Sequence, residues 1–131
     1  CFAGPVLHAE LAAYYRAADF LVIGSHSEGW PTVIFEALAC GLPVIANSVG
    51  GIPEALSSPE VGLLMEDNNP PTIAAAISAA YERKWDQGKA VSLARKHTWD
   101  EIAGRYYEIY QNILVRADKN ALTPKTSAMK S

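Results

Sequence analysis

Cysteine is scarce: only Cys1 and Cys40 occur in the 131 residues. They have no CxxC spacing and no histidine at ligand distance, which argues against a disulfide framework or a zinc site and fits a reducing compartment. Positive charge is also thin. Eleven Lys and Arg against 14 Asp and Glu leave a net charge of −3, and no basic stripe is present to meet a nucleic-acid backbone. No apolar run approaches the roughly 20 residues of a membrane-spanning helix. The opening Cys1-Phe2-Ala3-Gly4-Pro5 has neither a basic region nor an h-region, so it does not read as a signal peptide. It has no initiator Met, and so suggests a processed product or a piece of something longer. Half of the residues are hydrophobic and 19% are charged, enough to bury the core of one small domain.

Apolar periodicity divides the chain into short strands and helices. Residues 8–18 have a helical pattern, with Leu11, Tyr14, Tyr15 and Ala18 near the 3–4 spacing, and Asp19 stops it. Phe20-Leu21-Val22-Ile23 is too short for a helix and apolar on both faces, the mark of a buried parallel strand. After the polar loop 24–30, Pro31 suits the first turn of a helix, where its missing N–H would have had no partner. That helix runs to about Cys40, and Gly41 stands where a positive φ commonly ends one. Leu42–Ala46 reads as a second buried strand with its proline at the start. A glycine-containing loop, a short turn of helix around Pro53–Leu56 and a third strand at Val61–Met65 follow. Helices are predicted over 70–84, with Ile73, Ile77 and Tyr81 on one stripe, over 86–96, and from a capping box at Thr98-Trp99-Asp100-Glu101 to about Val115. The domain is expected to span 1–116, with a polar, disordered tail over 117–131. Strand–helix alternation predicts an α/β fold with a Rossmann-like parallel sheet and helices on both faces. Ligands of such sheets collect beyond the carboxyl ends of the strands, which points to loops 24–31 and 47–54.

The first of these loops carries suggestive chemistry. Gly29 allows close backbone approach, and the helix start after it offers unpaired N–H groups and partial positive charge to a phosphate or diphosphate. Glu28 stands just before this helix, and Glu36 about one and a half turns into it. Carboxylates at an anion site repel phosphate, but they accept hydrogen bonds well from vicinal hydroxyls. Two acids around a phosphate-friendly helix start suit a ligand with a charged centre and a hydroxylated sugar on each side. A nucleotide-sugar has that layout.

The run Ser25-His26-Ser27-Glu28-Gly29-Trp30-Pro31-Thr32-Val33-Ile34-Phe35-Glu36-Ala37-Leu38-Ala39-Cys40-Gly41-Leu42-Pro43-Val44-Ile45-Ala46 resembles the Glu-x7-Glu region of the retaining group 1 (family 4) glycosyltransferases of GT-B fold. Val49-Gly50-Gly51-Ile52-Pro53-Glu54 and Gly62-Leu63-Leu64 are similar to that family's next blocks. Phe2-Ala3-Gly4 resembles a strand end that precedes them, Tyr14-Tyr15-Arg16-Ala17-Ala18-Asp19 the helix after it, and Thr98-Trp99-Asp100 the start of the closing helix. The resemblance implies the second half of a GT-B C-terminal domain. It gives Glu36 the ribose hydroxyls of a UDP- or GDP-linked donor and Glu28, as the catalytic side chain, hydroxyls of the transferred sugar. The backbone around Gly29, Trp30 and Pro31 would shape the sugar and diphosphate pocket, and Thr32 would add a hydroxyl and an N–H to phosphate. It further implies no metal or other cofactor, with helix starts and basic side chains stabilising the leaving diphosphate, and transfer to an unknown acceptor with retention. Cytoplasmic placement is expected, with peripheral contact of the whole enzyme at the inner membrane face. Gly24 departs from a proline frequent in the family. The family's Gly-Arg and Lys-Gly segment and its whole N-terminal domain have no counterpart here, so the chain by itself is expected to be inactive. Its missing strands would lie between the strand ending at Phe2 and that at 20–23, leaving the latter with an open edge.

Blander roles compete at several positions. Gly50 and Gly51 suit either simple turns or a pocket lining, and Glu54 either a ligand contact or a cap. His26 is not expected to act as a general acid, and Trp30 is expected to pack or to wall the acceptor side. Cys40 reads as a small core residue. Trp85, Trp99, Tyr106, Tyr107 and Tyr110 read as core packing, and Arg95, Lys96 and Arg105 as solvated. A nucleotide-sugar isomerase of related fold and a non-catalytic binding or assembly module are the alternative functions.

Overall fold

The computed structural model describes residues 2–121; Cys1 and positions 122–131 of the expected disordered tail lie outside the described residues. Two compact units are present, Cys1–His97 and Thr98–Ser131. The first holds three strands, β1 (Leu21–Ile23), β2 (Val44–Asn47) and β3 (Gly62–Met65), all parallel and in the order β1-β2-β3. Leu21 lies opposite Val44, and Val44 opposite Gly62. Parallel neighbours need crossover connections. The helices α2 (Thr32–Ala39) and α3 (Ile52–Ala55) provide them, preceded by α1 (His8–Ala17).

All four residues of β2 are buried, because its alternating side chains meet helices on both faces. On one face Val44 and Ala46 pack with Ile34, Ala37 and Leu38 of α2, with Ile52 and Ala55 of α3, and with Ala90 and Ala94 of α5 (Gln87–Arg95). On the other, Ile45 packs with Met65 and with Ala76 and Ala80 of α4 (Pro70–Tyr81). Each buried Val, Ile or Leu contributes roughly 1.5–3 kcal/mol, so these clusters hold the sheet and its helices together. The fold is the expected Rossmann-like α/β arrangement. Helix caps match the residue types at their starts: Asn69 Oδ1 accepts from Thr72 N–H at 2.9 Å, and Asp86 Oδ1 from Lys89 N–H at 2.9 Å. Gly41 ends α2 with φ +76°, as its position predicts.

Several expectations need correction. The strand at 20–23 is not fully buried: β1 lies at the sheet edge, with Val22 37% exposed. Residues 2–7 form no strand, since no neighbouring strand among the described residues pairs with them. Pro31 is the N-cap of α2 and not a first-turn residue, so the helix begins at Thr32. No residue of α1 is buried, and Tyr15, not Tyr14, packs partly on the core. Tyr81 leaves the stripe of Ile73 and Ile77 and is 65% exposed, though its ring meets Phe20 edge-on at 4.9 Å. In the second unit, α6 (Trp99–Ala121) continues past Val115, with Glu101 N–H 3.4 Å from the Thr98 hydroxyl at its start. Its Trp99, Tyr106, Tyr107 and Tyr110 are exposed rather than core residues. Trp85 does join the core and donates from its indole N–H to Ala80 O at 3.1 Å.

Candidate functional site

The carboxyl ends of the three strands feed three loops: 24–31 after β1, 48–51 after β2 and 66–69 after β3. The second and third hold the first in shape. Asn47 at the end of β2 is 3% exposed, and its Nδ2 donates to Ser25 O at 2.8 Å. Asn68 donates from Nδ2 to Gly24 O at 3.1 Å and lies 3.2 Å from His26 Nδ1. Gly51 N–H donates to Gly29 O at 3.1 Å. The approach is so close that a Cβ on Gly50 would stand 1.7 Å from Glu28 O, and one on Gly51 2.5 Å from Gly29 O. Gly50 also has φ +53°. Of the two roles open to these glycines, the contacts favour neither a plain turn nor a lining: they let one loop lie on the backbone of the other.

Within that frame Glu28 is half-buried, and its Oε1 accepts from Ser25 Oγ at 2.7 Å. A short local bond of this kind reduces the freedom of the carboxylate. Gly29, Trp30 and Pro31 then lead into α2, whose start has no side-chain cap. Thr32 and Val33 are exposed there, and the first N–H groups of a helix have no partner within it. Thr32 and Glu36 are four apart and so share one face of α2. Glu36 Oε2 accepts from the Tyr15 hydroxyl at 2.9 Å. Burial, then the hydrogen bond to Glu36 and the charge of that carboxylate, push the Tyr15 phenol up to about 12. The geometry therefore gathers Glu28, Gly29, Trp30, Pro31, Thr32 and Glu36 around one helix start.

Trp30 is 42% exposed and stacks on Phe35 at 5.4 Å between ring centroids; Phe35 stacks in turn on His97 at 4.4 Å. Its indole flanks Gly51 as well, where a Cβ would come within 3.0 Å of Cε3. Glu54 lies exposed in the first turn of α3. Sequence reasoning missed Asn47, Asn68 and the Tyr15–Glu36 bond. An asparagine ending an apolar strand was a usable signal for Asn47, whereas a pair of residues 21 apart on two helices gives none. Among the described residues no group of three His, Cys, Asp or Glu is placed to hold a metal ion, and no helix is long and apolar enough to cross a membrane.

A parallel sheet with loops gathered at a helix start belongs to the Rossmann-like α/β class, which takes its ligands at that edge. The comparisons narrow this further. The family model for glycosyl transferases group 1 matches residues 1–83, and the chain belongs to that family. It is 36% identical over 111 residues to a D-inositol 3-phosphate glycosyltransferase of Paenarthrobacter aurescens, covering 82% of this chain and 27% of the relative. To the enzyme of the same name from Geodermatophilus obscurus it is 46% identical over 81 residues, covering 61% and 18%. Among solved structures, sucrose-phosphate synthase from Thermosynechococcus elongatus superposes with a TM-score of 0.69 at 31% identity, covering 88% of this chain and 30% of that one. A glycosyltransferase from Rickettsia africae gives 0.68 at 25% identity, covering 77% and 29%. The chain thus spans about a quarter of the length of the curated relatives it matches.

Proposed function

We propose that this chain binds the nucleotide-sugar donor of a retaining glycosyltransferase. In this reading the open start of α2 takes the diphosphate, Glu36 the ribose hydroxyls, and Glu28 hydroxyls of the sugar to be transferred. The observation that carries it is the pairing of two separately oriented carboxylates, one held by Ser25 and one by Tyr15, with the uncapped helix start between them. Fixed N–H donors at that start oppose the charge that builds on the diphosphate as the glycosidic bond breaks, where preorganised dipoles are most effective. Glu28 serves as the catalytic side chain by fixing the sugar and the charge developing on it, with no covalent glycosyl-enzyme step and no metal or other cofactor in the scheme. The acceptor and the cationic groups that complete the diphosphate site belong to parts of the enzyme beyond these residues. The free thiol of Cys40 fits a cytoplasmic setting within the same reading.

Glu36→Gln tests it. The substitution keeps the length of the side chain and removes its charge, so UDP or GDP is expected to bind about tenfold more weakly, the effect of one lost charge-assisted hydrogen bond. Unchanged affinity in titration calorimetry would remove the ribose role from Glu36.

A further inference from the structure

Glu36 is a flexible, half-buried side chain on α2, yet one of its oxygens is fixed from a different element. Tyr15 comes from α1, 21 residues away, and its ring packs partly against the core cluster beneath α2. A phenol on a packed ring has little rotational freedom, so the 2.9 Å bond to Glu36 Oε2 restricts where that carboxylate oxygen can sit. A carboxylate offers about four lone-pair sites. The tyrosine occupies one and leaves the others for a vicinal diol. We infer that Tyr15 is a positioning residue for donor recognition: its hydroxyl orients Glu36 so that the carboxylate meets both ribose hydroxyls of the nucleotide. This rests on the ribose role proposed for Glu36 and deepens it. Burial and the neighbouring Glu36 hold the phenol up to about 12, so at neutral pH the tyrosine is the donor of this bond.

A residue that only packs would support the fold without caring which sugar hydroxyls the ligand carries. The test therefore measures binding of UDP and GDP, and of their 2′,3′-dideoxy forms, to the 131-residue chain and to its Tyr15→Phe variant, which keeps the ring and loses only the hydroxyl. The wild-type chain is expected to prefer the ribose form. In Tyr15→Phe that preference should fall about tenfold, with affinity for the dideoxy form unchanged. In a Glu36→Gln background the same change should have no further effect on the preference, which closes a double-mutant cycle on the pair. A Tyr15→Phe variant that keeps the full preference, or that weakens both forms equally, overturns the positioning role while leaving Glu36 in place. A wild-type chain that does not distinguish the two forms overturns the ribose reading itself.

Discussion

Tyr15 keeps its proton to about pH 12, against 10.0 for an unperturbed phenol, and this has a measurable consequence for stability. Below pH 10 both folded and unfolded chains carry the neutral phenol, and the bond to Glu36 contributes in full. Between 10 and about 12 the unfolded chain loses its proton first, so the contribution is lost as pH rises. The stability gap between wild type and Tyr15→Phe is therefore expected to be widest below pH 10 and to close towards 12, as followed by urea unfolding at fixed pH values. Gly50 gives a second prediction at the same scale. Gly50→Ala must accept φ +53° and a Cβ 1.7 Å from Glu28 O, and is expected to lose about 2–4 kcal/mol of stability while displacing Glu28. Thermal melts would show the loss, and nucleotide titration the displacement. Glu28 and Glu36 could be singled out from the sequence because they sit in one contiguous run around a helix start, and Thr32 through the resemblance of that run to a known family. Asn68 and Tyr15 could not, because each acts on a residue more than 20 positions away and no local period reaches that far; Asn47 left only the sign of an asparagine ending an apolar strand.

Elements show the same limit differently. The sequence marks β1 and β2 alike as short apolar runs, and both are strands. The open edge of β1 was already implied by the family resemblance, but only the structure shows that, among the described residues, β2 is enclosed on two edges and two faces while Val22 of β1 stays uncovered. Unequal sensitivity to truncation follows. Ile45→Ala, at the centre of the sheet, is expected to destabilise by about 2–5 kcal/mol, and Val22→Ala by less than about 1 kcal/mol, both read as shifts in urea midpoint at constant slope. Helix starts were legible to within a residue, with helices expected from 70 and 86 beginning at Pro70 and Gln87, although the caps Asn69 and Asp86 themselves were not singled out. Pro31 shows how far such signals reach: its fixed φ suits both the cap and the first turn, so the residue type alone leaves the boundary open by one position.

For the whole molecule, both hydrophobic clusters lie before His97, and the first unit should be self-sufficient in its core. A chain cut after His97 is expected to keep one cooperative thermal transition in calorimetry, whereas a broad, non-cooperative melt would show that the later residues are needed to define the fold. The order β1-β2-β3 also matches the order of the strands along the chain. Among the described residues each strand neighbours the one made just before it, so this part of the sheet can grow in step with synthesis. Among the described residues, β2 is the strand with which both β1 and β3 pair. A slip in the register of the middle strand would therefore be copied to both sides at once.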